Sequence, residues 1–113
     1  LKLNPGDLQR RMSLAKAYYD KKEFNKAIVE LSDVKDLLES YPEVNYELAK
    51  VYISIGDIDK ATLAAKKELE LNPELSSSHY IMVQIHYLKN EYRDAVLMFE
   101  KSIEVKLVHP FKI

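Results

Sequence analysis

The sequence predicts an all-α array of antiparallel helix pairs, and three observations carry that prediction. Small residues recur at one interval: Ala27, Ala61 and Ala95 stand 34 residues apart, a spacing found in helical-repeat arrays. Lys22, Gly56 and Asn90 recur at the same interval, at a place where one helix must stop and the next begin. Gly and Asn adopt the left-handed backbone of such a turn at least cost. Apolar residues between these markers follow three-four spacing, and no stretch alternates with period two over a strand length.

Taken in order, Asp7 is placed to cap a helix over Leu8–Asp20, because its carboxylate can accept from free backbone N–H groups at the start. Leu14, Ala17, Tyr18 and Lys21 form that helix's apolar stripe and its solvated edge. A second helix is predicted over Phe24–Ser40, carrying Ala27, Ile28, Leu31, Val34, Leu37 and Leu38, and prolonged because no proline occurs before Pro42. The middle pair is predicted at Glu43–Ile55 and Ile58–Leu71, with Asp57 as cap and Pro73 as stop. The last pair is predicted at Ser77–Lys89 and Tyr92–Lys106, with a hydroxyl of Ser76, Ser77 or Ser78 as cap.

The phase extends to other positions. Leu14, Leu48 and Met82 align, as do Ala15, Ala49 and Val83, then Tyr18, Tyr52 and His86, then Phe24, Ile58 and Tyr92. With these residues the sequence resembles tetratricopeptide repeats over nearly its whole length, in three units at 8–41, 42–75 and 76–109. It departs from the family where an aromatic usually stands early in the first helix, since Arg11, Asn45 and His79 occupy that place, and where unit one has Glu39 against Pro73 in unit two. The resemblance implies a right-handed superhelical α-solenoid. Residues 1–7 repeat the phase of the end of unit two and read as the tail of a preceding repeat. Pro110 repeats the phase of Pro42, so 110–113 read as the start of a further unit, and the chain as a segment of a longer array.

Composition narrows the function. The 113 residues are 47% hydrophobic and 31% charged, ordinary globular material, and no apolar run approaches the ~20 residues that span a bilayer. A net charge of −1 supplies no general attraction to nucleic acid or anionic lipid. Zero cysteines exclude disulfides and thiolate sites. With only Gly6 and Gly56, neither a phosphate-cradling loop nor a dinucleotide fingerprint can be written. His79 and His86 are two helical turns apart, ~10.5 Å along the axis, too far to share one metal ion, so both read as structural. Acidic residues read as scattered over outer faces, with Glu23, Glu68 and Glu70 neutralising the Lys21-Lys22 and Lys66-Lys67 pairs. No catalytic constellation, cofactor site or metal site is written in these residues.

What remains is surface shape. The resemblance implies that first helices line the concave side, through the second, fifth, ninth and twelfth places of each unit. Those places hold Gln9, Met12, Lys16 and Tyr19, then Glu43, Tyr46, Lys50 and Ile53, then Ser77, Tyr80, Gln84 and Tyr87. Met12, Tyr46 and Tyr80 form one expected row, Tyr19, Ile53 and Tyr87 another, and Lys16, Lys50 and Gln84 a polar row between. Such rows suit a protein or peptide segment with apolar anchors and some acidic character. Repeats of this family that grip a C-terminal carboxylate of chaperones use Lys, Asn and Arg at set places. Here those places hold Met12, Lys16, Glu47, Ser77 and Ile81, which argues against that ligand. The expected function is a non-catalytic protein-interaction scaffold. The alternative is an architectural or oligomerising array, with self-association through the final helix, where Val96, Phe99, Ile103 and Leu107 fall at helical spacing.

Overall fold

The structure, a computed structural model, describes residues 5–108, and the side chains of 6–104. Six helices follow one another: α1 Pro5–Asp20, α2 Phe24–Leu37, α3 Val44–Ile55, α4 Ile58–Leu71, α5 Ser76–Leu88 and α6 Tyr92–Val108. No strand occurs among the described residues, and none of their helices is long and apolar enough to cross a membrane.

The three reversals within pairs are built alike. Lys22, Gly56 and Asn90 take left-handed backbone, at φ 64°, 82° and 62°. In each, the N–H after the left-handed residue donates to a carbonyl five residues back: Glu23 to Tyr18 at 2.8 Å, Asp57 to Tyr52 at 2.9 Å, Glu91 to His86 at 2.8 Å. The left-handed residue's own N–H donates three back, to Tyr19, Ile53 and Tyr87. This pair of bonds closes a helix C-terminus and absorbs its orphan carbonyls. Asp57 caps α4 as expected, its carboxylate accepting from the Lys60 N–H at 3.2 Å.

Several boundaries differ from expectation. Helix α1 begins at Pro5, so Asp7 lies inside its first turn, paired with Arg10, and is not the cap. Proline suits a first helical position, where its missing N–H would have had no partner. Helix α2 ends at Leu37, short of Ser40, and Leu38 is extended, with its N–H donating to the Val34 carbonyl at 2.8 Å. Burial gives little reason to continue the helix there, since Leu37 and Leu38 are both about 40% exposed. The Glu39 carbonyl is satisfied instead by Asn45 Nδ2 at 3.2 Å. No serine caps α5: Leu75 is the cap residue, and Ser78 is fully buried. Expectations for residues 1–4 and 109–113, and for the Leu107 side chain, lie outside the described residues and side chains.

Helices pack in sequence order. Partners α1–α2, α3–α4 and α5–α6 form the pairs, α2 meets α3 and α4 meets α5 between pairs, and the first helices touch along one side through α1–α3 and α3–α5. The alanines of the 34-residue interval sit in the closest approaches, Ala27 and Ala61 with no exposure and Ala95 at 8%. Leu31, Val34, Val44, Val51, Ile81 and Ile85 fill the rest of a continuous core. Where the family's aromatic is replaced, the substitutes act as polar latches. Asn45 Nδ2 reaches the Glu39 carbonyl, and one repeat later His79 Nε2 reaches the equivalent Pro73 carbonyl at 2.7 Å. Arg11 instead bridges to α2, at 3.4 Å from Glu30 and 3.0 Å from Asp33.

Two carboxylates depart from the expected outer-face placement: Glu47 is 7% exposed and Glu68 3%. Glu68 does not neutralise the lysine pair, since Lys67 bonds to Glu39 at 3.1 Å and Glu70 at 3.6 Å. Its carboxylate accepts from Asn72 Nδ2 at 2.9 Å, from the Tyr46 backbone N–H in the first turn of α3 and from the Ser78 hydroxyl of α5. Burial outweighs these donors and raises its pKa above the ordinary glutamate value. On α4 one residue of rotation, about 100°, separates the partly exposed Lys67 from Glu68 in this seam between units two and three.

Candidate partner-binding groove

The first helices α1, α3 and α5 stand side by side, and their neighbouring faces enclose an open cavity of about 530 Å³. It is lined by Tyr19 from α1, Tyr46, Lys50, Ile53 and Ser54 from α3, and Tyr80, Val83, Gln84, Tyr87 and Leu88 from α5. Successive inward positions fall three or four residues apart, so one helix face presents Tyr46, Lys50 and Ile53 together, and another Tyr80, Gln84 and Tyr87.

Seven of the nine residues singled out in the sequence therefore converge: Tyr19, Tyr46, Lys50, Ile53, Tyr80, Gln84 and Tyr87. Met12 and Lys16 do not. Met12 is only 5% exposed and belongs to the core, on a helix that lies against both α2 and α3. Lys16 is exposed outside the cavity, with its Nζ 3.3 Å from Glu43. The expected first row thus begins at Tyr46, and the polar row at Lys50. Ser54, Val83 and Leu88 also line the cavity and were not anticipated; a groove wall is wider than one residue per turn, so positions flanking the inward ones contribute.

Lys50 sits at the centre. Its Nζ lies 4.8 Å from the Tyr19 ring centroid and 5.7 Å from that of Tyr46, with Glu47 3.5 Å away. The rings attract the ammonium through their negative faces and, with Glu47, hold it in place. The Tyr19 hydroxyl donates to Ser54 Oγ at 3.2 Å, and Ser54 Oγ donates to the Lys50 carbonyl at 3.1 Å, which ties α1 to α3 along the floor. Tyr19 also meets Phe24 edge to face, with centroids 5.5 Å apart. Burial raises the Tyr46 phenol above its usual pKa, while Lys50 opposes that shift, so the ring carries a neutral hydroxyl at physiological pH. Tyr80 and Tyr87 are freer, at 46% and 64% exposure, and Tyr87 packs on Tyr92 at 5.7 Å.

The arrangement offers aromatic surface, one positioned cation and polar side-chain groups. It can bind; no nucleophile with an activating base faces the cavity among the described residues.

Comparison with known proteins agrees with the all-helical fold. Residues 42–75 match the family described as tetratricopeptide repeat. A crystal structure of MamA superposes with a TM-score of 0.84 at 25% sequence identity, covering 91% of this chain and 60% of that one. A second structure, described as MamA MSR-1 C2, superposes with a TM-score of 0.80 at 19% identity, covering 90% of this chain and 59% of that one. The chain thus spans about three-fifths of the length of the MamA chains it matches. No curated protein matches the sequence. With α3 and α4 spanning the matched residues and helix pairs of the same build stacked before and after them, the chain is an array of the tetratricopeptide-repeat fold.

Proposed function

We propose that this chain is a non-catalytic protein-interaction scaffold whose concave cavity holds an extended or helical partner segment. The observation that carries the reading is the setting of Lys50: a half-buried ammonium fixed between Tyr19 and Tyr46, in a cavity bordered by further tyrosines from the next unit. An aspartate or glutamate of the segment meets Lys50, and flanking apolar side chains lie on Tyr46, Ile53, Tyr80 and Tyr87. Tyrosine suits this work because it buries much area, loses little side-chain freedom and keeps a polar tip.

Fluorescence anisotropy against a panel of labelled peptides tests the reading, the panel pairing acidic residues with aromatic or aliphatic ones at varied spacing. Tyr46→Ala combined with Tyr80→Ala removes two walls and is expected to abolish binding. Lys50→Glu is expected to weaken it at least tenfold at low salt, with the difference shrinking as salt rises. Bound peptides that tolerate all three changes place the interaction on another surface.

A specific observation favours a second, architectural reading. Among the described residues helix α6 packs on α5 alone, and its Phe99 is 48% exposed, whereas the residues one and two repeats earlier, Ala65 and Leu31, are buried. A helix seated on α6 as α3 is on α2 would cover Val96, Phe99 and Ile103.

A further inference from the structure

We propose that the turn between α5 and α6 is a binding site for a divalent transition-metal ion of the zinc class, with His86 Nδ1 and the carboxylates of Glu91 and Asp94 as its ligands. The donor atoms of these three side chains all lie within 4.8 Å of one another, with His86 Nδ1 2.9 Å from Glu91 Oε1. An ion about 2.1 Å from each donor needs them no more than about 4.2 Å apart. Glu91 and Asp94 are exposed, so rotation of their carboxylates closes the difference. One imidazole and two carboxylates, with water completing the shell, is a donor set for borderline ions rather than for calcium or magnesium.

The internal repeat supplies the second, independent argument, because the same place holds a cation in the other two units. In unit one it is built from Tyr18, Glu23 and Lys26. The lysine Nζ lies 5.7 Å from the tyrosine centroid and 3.8 Å from the glutamate. In unit two it is built from Tyr52, Asp57 and Lys60, with the Nζ 5.9 Å from the ring and 4.0 Å from the aspartate. Each of those units thus places an ammonium between an aromatic face and the acid that starts the second helix. Unit three changes two of the three residues together. The tyrosine becomes His86, a ring able to ligate, and the lysine becomes Asp94, which replaces the built-in cation with a second carboxylate. The site keeps its cap acid, and its formal charge falls from zero to −2.

Local geometry is compatible with an ion. His86 lies in the last turn of α5, where the helix dipole favours positive charge. The hydrogen bond between His86 Nδ1 and Glu91 already orients the ring toward the carboxylates. On binding, the ion takes the Nδ1 lone pair of the neutral ring, and the ring proton resides on Nε2. Lys89 is the nearby opposing charge; it acts on Glu91 through space, and no bond between the two occupies the ligand atoms.

The test is a calorimetric titration of the full chain with Zn²⁺, repeated by absorbance with Co²⁺, whose visible bands report coordination. One ion per chain is expected, with a melting temperature that rises as Zn²⁺ is added. Asp94→Lys and His86→Tyr, which rebuild the pattern of units one and two, are each expected to weaken binding at least tenfold while leaving the metal-free melting temperature near that of wild type. Asp94→Asn, nearly isosteric, is expected to weaken binding in the same direction, and guards against any misfolding of the other two. Absence of saturable binding up to millimolar Zn²⁺ overturns the assignment, and so does binding that survives these substitutions.

Discussion

Ala61→Leu tests the repeat phase where the fold is least forgiving. Ala61 has no exposed surface at the crossing of α3 and α4, and its neighbours Leu48, Ala49, Ala64 and Ala65 are all buried. Leucine adds three carbon atoms that must be accommodated by pushing the two helices apart. Overpacking of this kind costs about 1–3 kcal/mol. Leucine and alanine have similar helix propensity, differing by only about 0.2 kcal/mol, so propensity cannot mask the effect. At about 4 °C per kcal/mol for a chain of this size, the melting temperature is expected to fall by roughly 4–12 °C. The same change at Ala95 provides an internal contrast: that site is 8% exposed, on a helix that among the described residues packs against α5 alone and can move outward. Ala95→Leu is therefore expected to cost less than about 1 kcal/mol. Circular-dichroism melts of both variants decide. An Ala61→Leu melt within about 2 °C of wild type, or one less affected than Ala95→Leu, refutes the placement of these alanines at helix crossings.

Glu68→Gln reads the buried carboxylate through pH. Its pKa is raised, chiefly by burial, so the folded chain holds the proton more tightly than the unfolded one; the stability this gives is complete below the unfolded value of 4.5 and is lost as pH rises through the folded value. Glutamine stays neutral throughout and its side-chain oxygen can still accept from Asn72, the Tyr46 N–H and the Ser78 hydroxyl. The variant is expected to gain on wild type between pH 4 and pH 7 in urea melts; a constant or shrinking gap contradicts the burial argument. For the architectural reading, sedimentation of the wild-type chain is expected to show concentration-dependent association that Phe99→Lys with Ile103→Lys removes, and a wild-type monomer at high concentration counts against it.

The sequence by itself determined the elements that depend on local chemistry. A left-handed residue at Lys22, Gly56 and Asn90, a cap at Asp57, and alanines at 34-residue spacing are consequences of backbone sterics and helix period, which act between near neighbours. These features led to the all-α array; the positions expected to face the concave side came from the family resemblance, and seven of them line one cavity. Tertiary structure alone decided the rest. Met12 has the place of a groove residue by family resemblance, but its side chain is buried in the core of the packed helices. Glu68 has the composition of a surface residue, but the first turn of α3 supplies an N–H donor that holds it inside the seam. His86 stands seven residues from His79, so a search for paired histidines passes over it; its partners Glu91 and Asp94 come across a left-handed turn from another helix. In each case the deciding contact joins residues of different helices or of a helix and the turn that follows it, at distances set by how these elements pack rather than by the period along any one helix.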